Sequence, residues 1–467
     1  MVVDVGLANA VMTGIVTGSV VALGAIGLAL VYNIADVPNF AHGDLLTFGA
    51  YAALLVNMPH TVPGLRALTT GPQSLTVAGR AVLFFISLAG LLTIVYHLGG
   101  RAALRGEWWS SGPSRVVGIG VQGGAAILLA GAIAVSSPSF FAGLLFAVVV
   151  SGALIPVMES RVFRKFRARG ASVAMMLIVS LALAFILRFS IQTVFGGEVR
   201  FYDVDTDVGG FELTRALYHD LLVSGGGFAI DVRTSGAEAA RVVSMSYSWL
   251  EALSIVAVAA GVGVLAYRYR TDTQAVVGPW LAAAAGAIAA VIVGGALFSG
   301  GGLPSDPLYG TRIRVSPLRA SVVLVSLLMM GVLHYLLRAT TLGKAMRATS
   351  DNRNLAMIRG INTRQVLLSV WIIAGVFGAL GGVMLGFVFS RIGINLGFNL
   401  LIPMFAGVIL GGISVYGAIL GSYVVGLAME VGIYAIPGLS ATYRVPLAFV
   451  VLFVVLLVRP EGIVGGS

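Results

Sequence analysis

Apolar segments long enough to cross a bilayer recur along the whole chain. They lie near residues 8–31, 40–58, 79–98, 116–135, 139–157, 172–195, 248–267, 276–298, 317–337, 366–389, 399–434 and 445–458. About 20 apolar residues in a helix cover the ~30 Å hydrocarbon core. In lipid, every backbone amide must also find its partner within the protein. Together these constraints predict an all-α fold, a polytopic transmembrane helical bundle. The run 399–434 is interrupted by Gly411, Gly412 and Gly417, so it reads as two passes or as one pass and a re-entrant piece. The expected count is about 12 spans, within two. Only 10% of the 467 residues are charged, against ~25% in a soluble domain. That is too few to cover a water-exposed surface, which excludes a soluble enzyme, a disordered chain and a coiled coil. The 62 glycines suit close helix contacts in lipid. Gly14/Gly18, Gly378/Gly382/Gly386, Gly407/Gly411 and Gly417/Gly421 are spaced four apart. Ordinary packing is the plain reading of these stripes, and sliding during gating is the sharper one. The start, MVVDVGLANA, has no basic n-region, and the apolar stretch after it is too long for a signal-peptide core. It is expected to be a retained first helix.

The loops order the spans. Residues 159–170 (ESRVFRKFRARG) hold five basic residues and one acid, and 338–364 hold six basic residues and only Asp351. Basic loops collect in the cytoplasm. Between them, 196–247 carries eight acids against four arginines, so it reads as an acidic external loop. Counting spans between these loops gives the same sidedness, and puts 99–115 and Arg459 inside. The chain is then one transmembrane domain over 1–467, without a separate soluble domain.

Composition excludes several chemistries. There is no cysteine, and the five histidines show no metal-binding spacing, so no metal site is expected. The only Gly-Lys, Gly343-Lys344, lacks the rest of a phosphate-binding loop. No cofactor and no catalytic residue is expected. A G-x-S-x-G elbow is also missing, which disfavours an intramembrane hydrolase. The net charge of +10 is accounted for by cytoplasmic loops rather than by nucleic-acid binding. Ionisable residues within the spans are few: Arg188, Glu430 and, near a helix start, Asp44. Such charges are costly and often functional. Arg188 sits in the outer half of its span, where a long side chain can also snorkel to the interface.

Two segments go beyond composition. In Leu30–Tyr51 (LVYNIADVPNFAHGDLLTFGAY), Asn33, Asp36, Pro38 and Asn39 break the first helix, and the chain re-enters an apolar run at Phe40. Non-helical backbone at membrane depth is tolerated only against protein or a water-filled cavity. Asn39, His42 and Asp44 are therefore candidates for a translocation path; the alternative is that they only cap the next helix. The second segment is Arg338–Gly360. Leu342, Met346, Leu355 and Ile358, interrupted by Ser350-Asp351-Asn352, predict two short amphipathic helices with a polar turn. Gly360 is placed to end the second in a left-handed conformation. Such a basic element can dock a partner or lie on anionic lipid.

These stretches carry a resemblance. The NFAHGD core, the RAT…A…RGIN pattern of 338–362, LGGISVYGAILG at 410–421 and the tail RPEG at 459–462 occur in this order. Residues 159–194 add a similar basic loop and following helix. The chain resembles the permease subunits of branched-chain amino acid ABC transporters, in the LivH-like branch. It departs from them around 60–135 and 245–300, each of which looks like an added helix pair. The resemblance implies an ABC importer permease in a prokaryotic plasma membrane. It would lack an ATPase site of its own, pair with a second permease subunit, and work with two ATPase subunits and an external substrate-binding protein. It implies a coupling loop that includes Arg347, Asp351, Ala356, Gly360 and Ile361. A urea or short-amide permease of the same family stays open, as does an ion-coupled carrier.

Overall fold

A computed structural model describes residues 5–458 and 462, apart from 36, 72–73, 105–112, 138, 203–206, 209–210, 213–215, 235–240, 274–285 and 287–307. Its helices are α1 (Val5–Ala35), α2 (Ala41–Asn57), α3 (Val77–Leu104), α4 (Pro113–Val135), α5 (Phe140–Met158), α6 (Arg164–Ala168), α7 (Val173–Phe195) and α8 (Trp249–Thr273). They continue as α9 (Pro317–Ala339), α10 (Thr341–Asp351), α11 (Arg353–Ile358), α12 (Thr363–Phe389), α13 (Leu396–Leu410), α14 (Val415–Ala435) and α15 (Arg444–Val458). Every expected segment contains a helix except 276–298, which, Gly286 aside, lies outside the described residues. The run 399–434 holds two helices. Among the described residues, eight helices are long and apolar enough to span a membrane. The helices α2 and α13 are shorter, at 17 and 15 residues.

Local chemistry sets many of the boundaries. Ser139, Ser172, Ser316 and Ser414 accept hydrogen bonds from the first-turn amides of α5, α7, α9 and α14. These side chains satisfy amides that have no intrahelical partner. A π-helical turn at Glu159–Phe163 continues α5 into α6, so the first basic loop is partly helical.

The bundle is built around α1, which is buried almost continuously from Val16 to Val31. Its main neighbours are α14 and α12, followed by α13 and α9. In turn, α12 packs on α5 and α2, and α7 lies against α2. Most glycines of the stripes sit at backbone contacts, whereas Gly378 and Gly386 face the His42 and Ile392 side chains. A Cβ at Gly421 would collide with the Gly407 carbonyl, so α13 and α14 pack as a tight hairpin. By contrast, α7, α9 and α15 leave broad apolar faces exposed, as at Ile178, Phe189, Leu328 and Leu457.

The two ends of the bundle differ. At one end, residues of 159–168 and 353–364 line a common cleft, so both basic loops are together. At the other end, Arg200–Phe201, which follows α7, pairs with Arg391–Ile392, which follows α12. The acidic stretch there is not simply a loop. Leu217–Ser224, Gly227–Thr234 and Arg241–Ser248 form an antiparallel meander, and Tyr309–Val315 joins it beside Leu217–Ser224. Asp220 faces Arg312 across this sheet, with Arg312 Nε donating to Oδ1 at 2.6 Å. The sheet meets the bundle where the Arg314 amide donates to Asn9 Oδ1 at 2.8 Å. Within the stretch, 203–206, 209–210, 213–215 and 235–240 lie outside the described residues.

Candidate translocation site and coupling loop

The break after α1 supplies its own hydrogen bonds. Asn39 Oδ1 accepts from the Ala41 amide at 3.1 Å, and the Asn39 carbonyl accepts from His42 N at 3.2 Å. Ser180 of α7 adds a third contact, its Oγ accepting from the Phe40 amide at 3.1 Å. Ser180 lies seven residues beyond Val173, about 10 Å along α7. The first turn of α2 therefore begins well inside the bundle, with the Phe40, Ala41 and His42 amides satisfied by protein as the hydrocarbon demands.

The three expected path residues differ in setting. Asn39 is buried and serves the start of α2, leaving its Nδ2 without a partner. His42 Nε2 lies 2.8 Å from the Gly24 carbonyl. A carbonyl only accepts, so Nε2 carries the proton, and the buried Nδ1 has no partner. The ring is walled in by Gly27 and Gly378 rather than by open space. Asp44 does not cap α2. Its fully buried carboxylate receives two hydrogen bonds from Arg188, Nε to Oδ1 at 2.9 Å and Nη2 to Oδ2 at 3.0 Å. Thus Arg188 does not snorkel to the interface; it turns inward and pairs. Its guanidinium also lies over the Phe398 ring, 4.4 Å from the centroid. Leaving one such charge unpaired costs about 3–5 kcal/mol.

Phe398 belongs to α13, which also starts inside the bundle. The Gly397 amide donates to Thr47 Oγ1 at 2.9 Å, and a Cβ on Gly397 would strike the Gly43 carbonyl. Two shortened helices thus begin against each other beside the Asp44–Arg188 pair. Sequence reasoning named Asp44 and Arg188 separately but missed their pairing, and missed Thr47, Ser180 and Phe398. The available signal was one acid and one arginine within apolar spans, each lacking a local partner. Glu430 likewise has partners: Arg444 Nη2 at 3.2 Å, and the Thr17 hydroxyl, which donates at 3.2 Å.

At the basic end, α10 and α11 are the two short helices expected from the pattern. Thr340 Oγ1 accepts from the Gly343 amide at 3.0 Å, and Asn352 Oδ1 from the Leu355 amide at 2.9 Å. Gly360 has φ +83°. Around it, Ile361 N donates to the Ala356 carbonyl and Gly360 N to the Met357 carbonyl, both at 3.0 Å. This pair of bonds is a Schellman turn. The apolar residues face two ways. Met346 and Ala356 are buried, whereas Leu355 is 53% and Ile358 82% exposed. Ile361 packs against the core, Asp351 is exposed, and Arg347 Nη1 donates to the Leu337 carbonyl. Ala356 therefore faces the body of the protein rather than an outer docking surface. Ser350 Oγ donates to Asn33 Oδ1 at the end of α1, and Asn33 Nδ2 donates to the Ile413 carbonyl at 3.1 Å. Ile413, in the turn joining α13 to α14, has φ +58°.

Multiple apolar spans and helices interrupted inside the bundle define a multi-pass membrane permease. The family described as "Branched-chain amino acid transport system / permease component" matches residues 10–98 and 256–458, more than half of the chain, and the chain belongs to it. The match leaves out 99–255, which includes the basic loop and helix at 159–194. The permease protein LivH of a high-affinity branched-chain amino acid transport system in Escherichia coli (strain K12) is 32% identical over 152 residues, 32% of this chain and 48% of that protein. The corresponding BraD of Pseudomonas aeruginosa is 30% identical over 168 residues, 35% of this chain and 54% of that protein. A probable LivH of Methanocaldococcus jannaschii is 31% identical over 150 residues, 31% of this chain and 47% of that protein. The chain spans about half the length of the curated relatives it matches. No solved structure matches it. The expected tail residues Arg459, Pro460 and Glu461 lie outside the described residues.

Proposed function

We propose that the chain is the membrane subunit of an ABC importer for branched-chain or related amino acids. The observation that carries this reading is the Asp44–Arg188 pair where α2 and α13 begin. An amino acid zwitterion presents an ammonium and a carboxylate. Asp44 and Arg188 offer the complementary charges and neutralise each other at rest. Interrupted helices near mid-membrane are where transporters commonly bind substrate. Urea or a short amide has no charges for this pair to exchange with, so the pair favours the zwitterion.

Two separate ATPase subunits dock on the exposed Leu355 and Ile358 of α11, at a cytoplasmic end containing 159–170 and 338–364. Their closure moves α10, and the Ser350–Asn33–Ile413 chain carries that movement to the ends of α1 and α13. The sheet end is external and receives a substrate-binding protein. A second permease subunit covers part of the exposed helix faces, and lipid covers the rest. This chain performs no chemistry and binds no nucleic acid. The test is reconstitution in vesicles with the ATPases and binding protein, measuring leucine and urea uptake. Leucine uptake should require ATP and survive collapse of ion gradients. Uptake by this chain alone, driven by a proton or sodium gradient, would instead establish an ion-coupled carrier.

A further inference from the structure

Between the two basic loops lies a cleft of about 330 Å³. Glu159, Ser160, Arg164 and Arg167 line it from one side, and Arg353 and Arg364 from the other. Four guanidiniums against one carboxylate leave a formal surplus of +3. Arg167 is paired with Glu159. Arg164, Arg353 and Arg364 are exposed and make no hydrogen bond or close ion pair among the described residues, although Arg164 and Arg353 lie near enough to Glu159 to favour its charged form. A second observation is independent of charge. In the pair of buried Glu159 with half-buried Arg167, the atoms Glu159 Oε2 and Arg167 Nη1 are shielded and without a hydrogen-bond partner. A buried polar atom left unpaired is destabilising. Glu159 is thus the one carboxylate among four arginines, and its Oε2 is open to an O–H or N–H donor.

We infer that this cleft is a binding site for a phosphoryl anion that carries its own hydroxyl. Tetrahedral oxyanions accept several hydrogen bonds at once from guanidinium forks. Arg364 is in the first turn of α12, where the helix dipole adds positive potential. The hydroxyl donates to Glu159 Oε2. Two sources share this chemistry. One is a phosphatidylglycerol headgroup, for which Leu367 and Leu368 provide an apolar wall. The other is free hydrogen phosphate or a soluble phosphoester. Either would bridge the 159–168 segment to the two ends of the Arg353–Arg364 turn. The site stands whether or not the chain carries amino acids.

The test uses the full-length chain, delipidated in detergent, with binding followed by thermal shift and native mass spectrometry. The probes are inorganic phosphate and dioctanoyl phosphatidylglycerol; dioctanoyl phosphatidylcholine, without net charge or hydroxyl, is the control. At least one of the first two should bind saturably. Arg353→Gln/Arg364→Gln should weaken it roughly tenfold or more. Arg359→Gln, an exposed arginine outside the cleft, should leave it unchanged. Binding of phosphatidylglycerol without phosphate assigns a lipid headgroup, binding of phosphate without phosphatidylglycerol assigns a soluble phosphate, and equal binding of both shows that the shared phosphoryl group suffices. If the double variant misfolds, Arg164→Gln alone provides the same reading. Saturable binding of neither probe, equal binding of phosphatidylcholine, or equal loss in Arg359→Gln overturns the site.

Discussion

Asp44 and Arg188 each hold a charge that the surrounding protein cannot solvate, so each is tolerable only because of the other. Replacing one alone strands its partner. Asp44→Asn and Arg188→Gln should each lower stability by about 3–5 kcal/mol and reduce abundance in the membrane. The double variant Asp44→Asn/Arg188→Gln strands neither charge, so it should regain at least half of the lost thermal stability. If the pair also meets substrate, uptake per folded molecule should stay at least tenfold down in all three. Wild-type uptake by the double variant would reduce the pair to a structural role. The pairing was hidden in the sequence because its members stand 144 residues apart. Hydropathy finds the two spans but says nothing about which faces meet. His42 was hidden differently: its environment is made by Gly24, Gly27 and Gly378 on two other helices.

The short helices of the basic loop were more legible because local signals define them. Asn352 and Gly360 mark the start and end of α11 by capping chemistry that acts within a few residues. The pattern could not say that Met346 points in and Ile358 out, since period alone does not identify what lies on each side. This division changes which substitutions are informative. Ala356→Asp would put a charge into the packed side and damage the fold of the loop. Leu355→Asp/Ile358→Asp alters only exposed residues. It should leave membrane insertion and thermal stability unchanged, yet abolish pull-down of the ATPases and their stimulation by loaded binding protein. Gly360→Val forces a branched residue into a left-handed turn, at a cost of about 1–2 kcal/mol, and should reduce the same stimulation while the chain still inserts. Full stimulation in both variants would show that α11 is not the docking element.

Across the molecule, the two ends carry different material: basic helical loops at one, an antiparallel sheet at the other. The spans were readable because lipid imposes length and apolarity on every pass. The sheet was not, because its fourth strand, Tyr309–Val315, arrives after α8 and a further stretch of chain. The acids that suggested a loop are partly consumed in pairs such as Asp220–Arg312. If the sheet is external, Gly225→Cys at a hairpin turn should react with an impermeant maleimide added to intact cells. Lys344→Cys, exposed on α10, should react only after permeabilisation. The native chain has no cysteine, so each label reports one position. The opposite pattern reverses the sidedness.

The break at residues 37–40 also sets an order of assembly during synthesis. Ser180, which completes the hydrogen bonding of the Phe40 amide, lies 140 residues further along the chain. At ~5–20 residues per second, it emerges on the order of ten seconds later. Until α7 arrives, Asp44 has no arginine and the start of α2 lacks one of its partners, so α2 is expected to wait at the water-facing edge of the insertion machinery while α1 is already across. Leu45→Cys, buried in the finished protein, should therefore be reactive in ribosome-bound chains that end before Ser180 and protected in chains extending well beyond Arg188. Protection in the shorter chains would mean that α2 enters the membrane without waiting for α7.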